Sequence, residues 1–166
     1  RDYVYTRPSR RQHAMRLIGS TVVLPAMRQP APPRVAAIVD TSGSVSAEAL
    51  REFLSELIGI VRTAGVSGGV ATIPCDAEAY PVQLLKSAGD VETFEAIGGG
   101  GTDMGVGIAA AAELRPRPHI VVVFTDGETP WPETPPQGID AFIVVTRPEA
   151  EQPPDWATWI QLPETS

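Results

Sequence analysis

Two stretches constrain the fold of this chain most: "RVAAIVD" at residues 34–40 and "HIVVVFTD" at residues 119–126, each a short continuous apolar run that stops at an aspartate. A strand with one wet face alternates apolar and polar residues, so an unbroken apolar run predicts a strand buried on both faces. Such strands need a covering layer on each side. "SAEALREFLSELIGIVRTAG" puts Leu50, Phe53, Leu54, Leu57, Ile58 and Val61 on one helical stripe, with Ser46 as N-cap, Glu48 in the first turn and Gly65 just past the end. "GGVATIPC" and "AYPVQLL" read as strands of an edge hairpin around the acidic turn Asp76–Glu78, with Pro81 suited to an edge strand. "GDVETFEAI" predicts a short helix capped by Asp90, and "GGGGTDMGVGIAAAAEL" a glycine loop opening into an alanine-rich helix ended by Pro116. "IDAFIVVT" and "WATWIQL" supply two further strands. This order predicts an α/β fold: a mostly parallel central sheet with an antiparallel edge strand and helices on both faces.

At 166 residues the chain suits one domain of ordinary size. It contains no run of eighteen apolar residues and no signal-peptide pattern, so no membrane partner is implied and a cytoplasmic location is the expectation. Cys75 is the single cysteine, which excludes an internal disulfide framework and a thiolate zinc site. Charge is uneven: residues 1–34 hold seven Arg and one acid (net +6), whereas residues 35–166 hold six bases and nineteen acids (net −13). We therefore expect residues 1–33 to be an Arg/Pro-rich leader, packed on the domain or linking it to a missing upstream one, and residues 34–166 to be the domain. Nucleic acid is disfavoured as a partner, because Pro8, Pro25, Pro30, Pro32 and Pro33 interrupt the arginines and no aromatic series accompanies them.

In open parallel sheets, ligands sit beyond the carboxyl ends of the strands. Three polar loops fall there: Asp40, Ser42 and Ser44 after the first long strand; Thr102 and Asp103 after the glycines; and Asp126 after "IVVVF". Oxygens at alternate positions point to one side, and converging oxygens suit a hard divalent cation. Each loop also has a plainer reading. Ser and Asp make turns and caps, and Asp103 is equally a good N-cap for the alanine-rich helix. His119, Cys75, Trp131, Trp156 and Trp159 are read as structural residues.

Taken together, "DTSGS", the threonine of "GGGGTD" and the aspartate of "FTDGE" resemble, in order and spacing, the three parts of the metal-ion-dependent adhesion site of von Willebrand factor A (VWA) domains, over residues 35 to 146. The joint pattern is far more specific than any one part. The resemblance implies a Rossmann-like VWA fold in which Ser42, Ser44 and Thr102 ligate Mg2+ or Mn2+ directly. Asp40 and Asp126 would act mainly through water, with Asp103 an outer supporting group. The leader "RPSRR…VVLPAMRQP", the "CDAE" after a strand and the "FTDGETP" ending are further similar to the VWA-like domain that follows a predicted metallopeptidase domain in certain bacterial proteins. This resemblance implies that the chain is the C-terminal, non-catalytic part of a larger protein; no H-E-x-x-H occurs in it, and its start at Arg1 rather than Met fits a fragment of something longer. The implied partner is a protein that supplies an Asp or Glu, with a MoxR-type AAA ATPase system as one candidate.

Three function classes follow. The first is a module that captures a partner carboxylate through the metal. The second is a metal-dependent hydrolase with Asp40 or Asp126 as base, against which stands the lack of a His, Lys or Cys beside these loops. The third is a scaffold whose loops never hold metal.

Overall fold

The computed structural model describes residues 33–64, 68–146 and 154–162. Its spine is β1 (Val35–Asp40), flanked by β2 (Val70–Cys75) and β4 (Ile120–Thr125), both parallel to it. The remaining elements are helices α1 (Ala47–Ala64), α2 (Ala88–Glu92) and α3 (Met104–Glu113), and strands β3 (Gln83–Leu85), β5 (Asp140–Val145) and β6 (Thr158–Gln161). They form one six-stranded sheet in the order β3-β2-β1-β4-β5-β6, parallel except for the antiparallel β2–β3 edge pair. The α/β fold expected from the sequence is the one observed.

Strand pleating explains the two unbroken apolar runs. Ala36 and Ile38 face one side with Val121 and Val123, under Met104, Ile108 and Ala111 of α3. Ala37 and Val39 face the other with Val122 and Phe124, under Phe53, Leu57 and Val61 of α1 and Val91 of α2. Alternate residues therefore bury into opposite layers. On the α1 side, the rings of Phe53 and Phe124 lie 5.7 Å apart. On the α3 side, a Cβ at Gly107 would come within 2.8 Å of Ile38 Cγ2, so only glycine lets this helix approach β1 so closely.

Two boundary expectations are corrected. The short helix α2 is capped by Ser87, not Asp90: Asp90 is the third helical residue and returns its carboxylate to the Ser87 N–H, completing a capping box. The edge strand is shorter than "AYPVQLL", and Pro81 precedes it. Tyr80 N–H is drawn to the Pro74 carbonyl, and Cys75 bridges Ala79, which tightens the turn around Asp76. The chain then rejoins the sheet only at Gln83. Ser46 caps α1 as expected, its hydroxyl accepting the Ala49 N–H. Gly65 and residues 1–32 of the leader lie outside the described residues. Trp131 and Trp156 cover the α3-side core, whereas Trp159 on edge strand β6 is exposed. No described helix is long and apolar enough to cross a membrane.

The chain leaves β1 towards β2 and β3, then returns to β4 on the other side of β1 and continues to β5 and β6. The strand order therefore reverses between β1 and β4. A crevice opens at the carboxyl end of such a reversal, and Asp40 and Asp126 stand on its two sides.

Candidate metal centre

Asp40 ends β1 fully buried, with its two oxygens committed in different directions. Oδ1 accepts the Ser42 N–H at 2.9 Å, and Oδ2 accepts the Thr125 hydroxyl at 2.6 Å. The first bond curls the chain into the turn that returns Ser42 and Ser44 to the same side, where their Oγ atoms meet at 3.1 Å. The second ties that turn to the end of β4. Asp126 follows immediately, 1% exposed, and its Oδ1 accepts the Glu128 N–H.

Burial pushes the Asp40 carboxyl above its ordinary range, against the hydrogen bonds from Ser42 and Thr125, and the neighbouring Asp126 charge pushes the same way. Two desolvated carboxylates thus share one crevice with a pair of converging hydroxyls.

The glycine loop before Thr102 is stitched to the first loop. Gly43, between the two serines, donates its N–H to the Gly100 carbonyl at 3.1 Å, and the Thr41 hydroxyl donates to the Ile97 carbonyl at 2.7 Å. Gly98 has φ +151°, and a Cβ there would overlap Thr41, so the glycine loop closes onto the first loop because that position lacks a side chain. On the third side, the buried Thr129 hydroxyl accepts the Met104 N–H, pinning the Asp126 loop to the start of α3. Asp103 caps that helix, its Oδ1 accepting the Gly105 N–H. Of the residues expected to form the site, Asp40, Ser42 and Ser44 are brought together by direct bonds. Asp126 stands across the β1–β4 crevice from Asp40, and the loop that carries Thr102 is tied to the first loop at Gly100.

Thr41, Thr125, Thr129 and Asp76 are the organising residues that sequence reasoning passed over. Thr125 and Thr129 stand inside "FTDGET", so their closeness to Asp126 was a usable signal. Asp76, whose carboxylate accepts the Gly100 N–H, carried only the weaker signal of an acid directly after a strand.

Among the described residues, no three His, Cys, Asp or Glu side chains gather as a metal-binding group. A cation here would depend on hydroxyls together with two carboxylates. That donor set fits a small hard ion such as Mg2+ or Mn2+, which takes oxygen ligands and retains waters. Other reactive groups lie elsewhere or are suppressed. His119 Nδ1 accepts the Arg34 N–H at the opposite end of the sheet. Burial pushes the Cys75 thiol up to about 12, with the charges of Asp40, Asp76 and Asp103 adding to the effect. A groove of about 390 Å³, lined by Arg34, Leu84, Leu114 and Pro116 among others, also opens at that opposite end. Its lining is mostly apolar and brings no set of converging oxygens for a coordinated ion.

Residues 35–163 match the family model described as VWA-like domain (DUF2201). An uncharacterized protein of Thermotoga maritima is 37% identical over 117 residues, which cover 66% of this chain and 26% of that protein. The chain thus spans about a quarter of the length of this relative. It belongs to the VWA-like domain family.

Proposed function

We propose that this VWA-like domain is a divalent-cation-dependent protein-binding module, in which Ser42, Ser44 and Thr102 hold Mg2+ or Mn2+ and Asp40 and Asp126 support it through water. The observation that carries this reading is the 3.1 Å convergence of Ser42 and Ser44 Oγ beside two buried carboxylates at the reversal of strand order. Neutral hydroxyls compensate little of a double charge. Once bound, the cation would supply a Lewis-acidic position at the surface, open to an Asp or Glu of a partner protein. Hydrolysis is the weaker reading, because the described His and Cys are respectively remote and held protonated. The domain is thus read as a recognition module and not a catalytic one, and a MoxR-type ATPase is one partner to test.

The test is capture from a native lysate on the immobilised chain, with Mg2+ or with EDTA. A partner should be retained with Mg2+ and released by EDTA. Thr102→Ala should weaken its capture at least tenfold, about 1.4 kcal/mol, with little loss of stability. A partner held equally well by Thr102→Ala in EDTA would overturn the proposal.

A further inference from the structure

The glycine loop is gripped from a direction that the three polar loops do not account for. Gly100 N–H donates to Asp76 Oδ2 at 3.0 Å, and Asp103 N–H donates to the Asp76 carbonyl at 2.9 Å. Thr102 sits between these two attachments to a single residue. Asp76 is itself well fixed: it is 4% exposed, its Oδ1 accepts the Glu78 N–H at 2.9 Å, and its Oδ2 also accepts the Tyr80 hydroxyl at 3.1 Å. Its own N–H donates to the Glu78 carbonyl at 3.0 Å. Three donors thus converge on one side chain, and a carboxylate, with two oxygens and no proton, can accept all of them.

The grip continues across the loop. Gly100 gives its N–H to Asp76 and its carbonyl to the N–H of Gly43, the residue between Ser42 and Ser44. Asp76 is therefore linked through one residue to both hydroxyl-bearing loops. We propose that Asp76 is a positioning residue of the metal centre: its carboxylate sets the placement of Thr102 relative to Ser42 and Ser44 through Gly100, while its main-chain carbonyl anchors Asp103, and it is not itself a ligand. This rests on the metal-binding reading of the site. The carboxylate shape matters, because an asparagine offers one acceptor oxygen to donors that approach from two sides.

The experiment uses the full 166-residue chain with Mn2+ alone as probe, read by calorimetry, and metal-free amide exchange of Gly100 read by NMR. Asp76→Ala should speed Gly100 exchange at least tenfold and weaken Mn2+ at least tenfold. Asp76→Asn, which can still accept from Gly100, should recover part of both effects. Asp90→Ala, which breaks the capping box of α2, should lower stability while leaving Mn2+ affinity within twofold. The proposal is overturned if Asp76→Ala leaves Gly100 exchange unchanged or binds Mn2+ within twofold of wild type, or if Asp90→Ala weakens Mn2+ just as much. Should Asp76→Ala fail to fold, Gly100→Ala, whose methyl would meet Asp76 Oδ2 at 3.0 Å, is judged by the same Mn2+ threshold. If the wild type takes up no Mn2+, the functional reading falls, and Gly100 exchange alone decides whether Asp76 positions the loop.

Discussion

The first loop, Asp40–Ser44, and the glycine loop before Thr102 serve one surface, but they are built in opposite ways. The first is largely self-supporting: Asp40 holds the Ser42 N–H, and Ser42 meets Ser44. The glycine loop brings no side chains to its own support, and residues distant in sequence hold it: Thr41 at Ile97, Gly43 at Gly100, Asp76 at Gly100 and Asp103. A loop of the first kind is organised by local bonds that can form early. One of the second kind takes its shape only when the sheet is assembled, because its partners Thr41, Gly43 and Asp76 stand just beyond the ends of β1 and β2. Under the proposed metal-binding function, substitutions in the first loop should remove ligands, whereas substitutions around the second should displace one.

The largest effect is expected at Asp40. Asp40→Ala should abolish Mg2+ and Mn2+ binding in a calorimetric titration and lower stability by about 1–3 kcal/mol, because it strands the buried Thr125 hydroxyl and Ser42 N–H. Unchanged metal binding in this variant would move the centre elsewhere. Next is Gly98→Ala, which forces a side chain into positive φ and onto Thr41. The backbone strain alone is worth about 1–3 kcal/mol in chemical denaturation, and metal affinity should fall with it; an undisturbed affinity would show that the two loops are independent. Thr41→Val removes the hydroxyl bond to Ile97 and puts a methyl in the place of the donor. A loss of about 1 kcal/mol in stability is expected, with faster exchange confined to residues 97–101, while exchange spread evenly over the sheet would contradict a local role.

The smallest effect is one of pH. Burial works against ionised Asp76, yet the N–H groups of Glu78 and Gly100 and the Tyr80 hydroxyl outweigh it and hold its carboxyl below the ordinary 3.8. Its stabilising contribution is therefore complete above pH 3.8 and is lost as pH falls through the lower folded-state value. Melting curves between pH 5 and pH 2 should fall more steeply for wild type than for Asp76→Asn. Parallel curves would mean that the carboxylate's charge does not help hold the loop.

Much of this protein was already legible in its residues. The two continuous apolar runs determined the doubly covered sheet, since a strand of alternate Ala, Ile and Val has no polar face to leave in water. The stripe of Phe53, Leu57 and Val61 determined which side of α1 packs. The alternation of Asp40, Ser42 and Ser44 determined a turn closed by the local Asp40–Ser42 and Ser42–Ser44 bonds. What only the tertiary structure decided is the set of contacts across the chain: Thr125 to Asp40 over 85 residues, Thr129 to Met104 over 25, and Asp76 to Gly100 over 24. Local propensity carries no record of such pairs, because a threonine or aspartate after a strand looks the same whether it faces water or a neighbouring loop. The strand order brings those loops to one crevice, and only there do their donors and acceptors find one another.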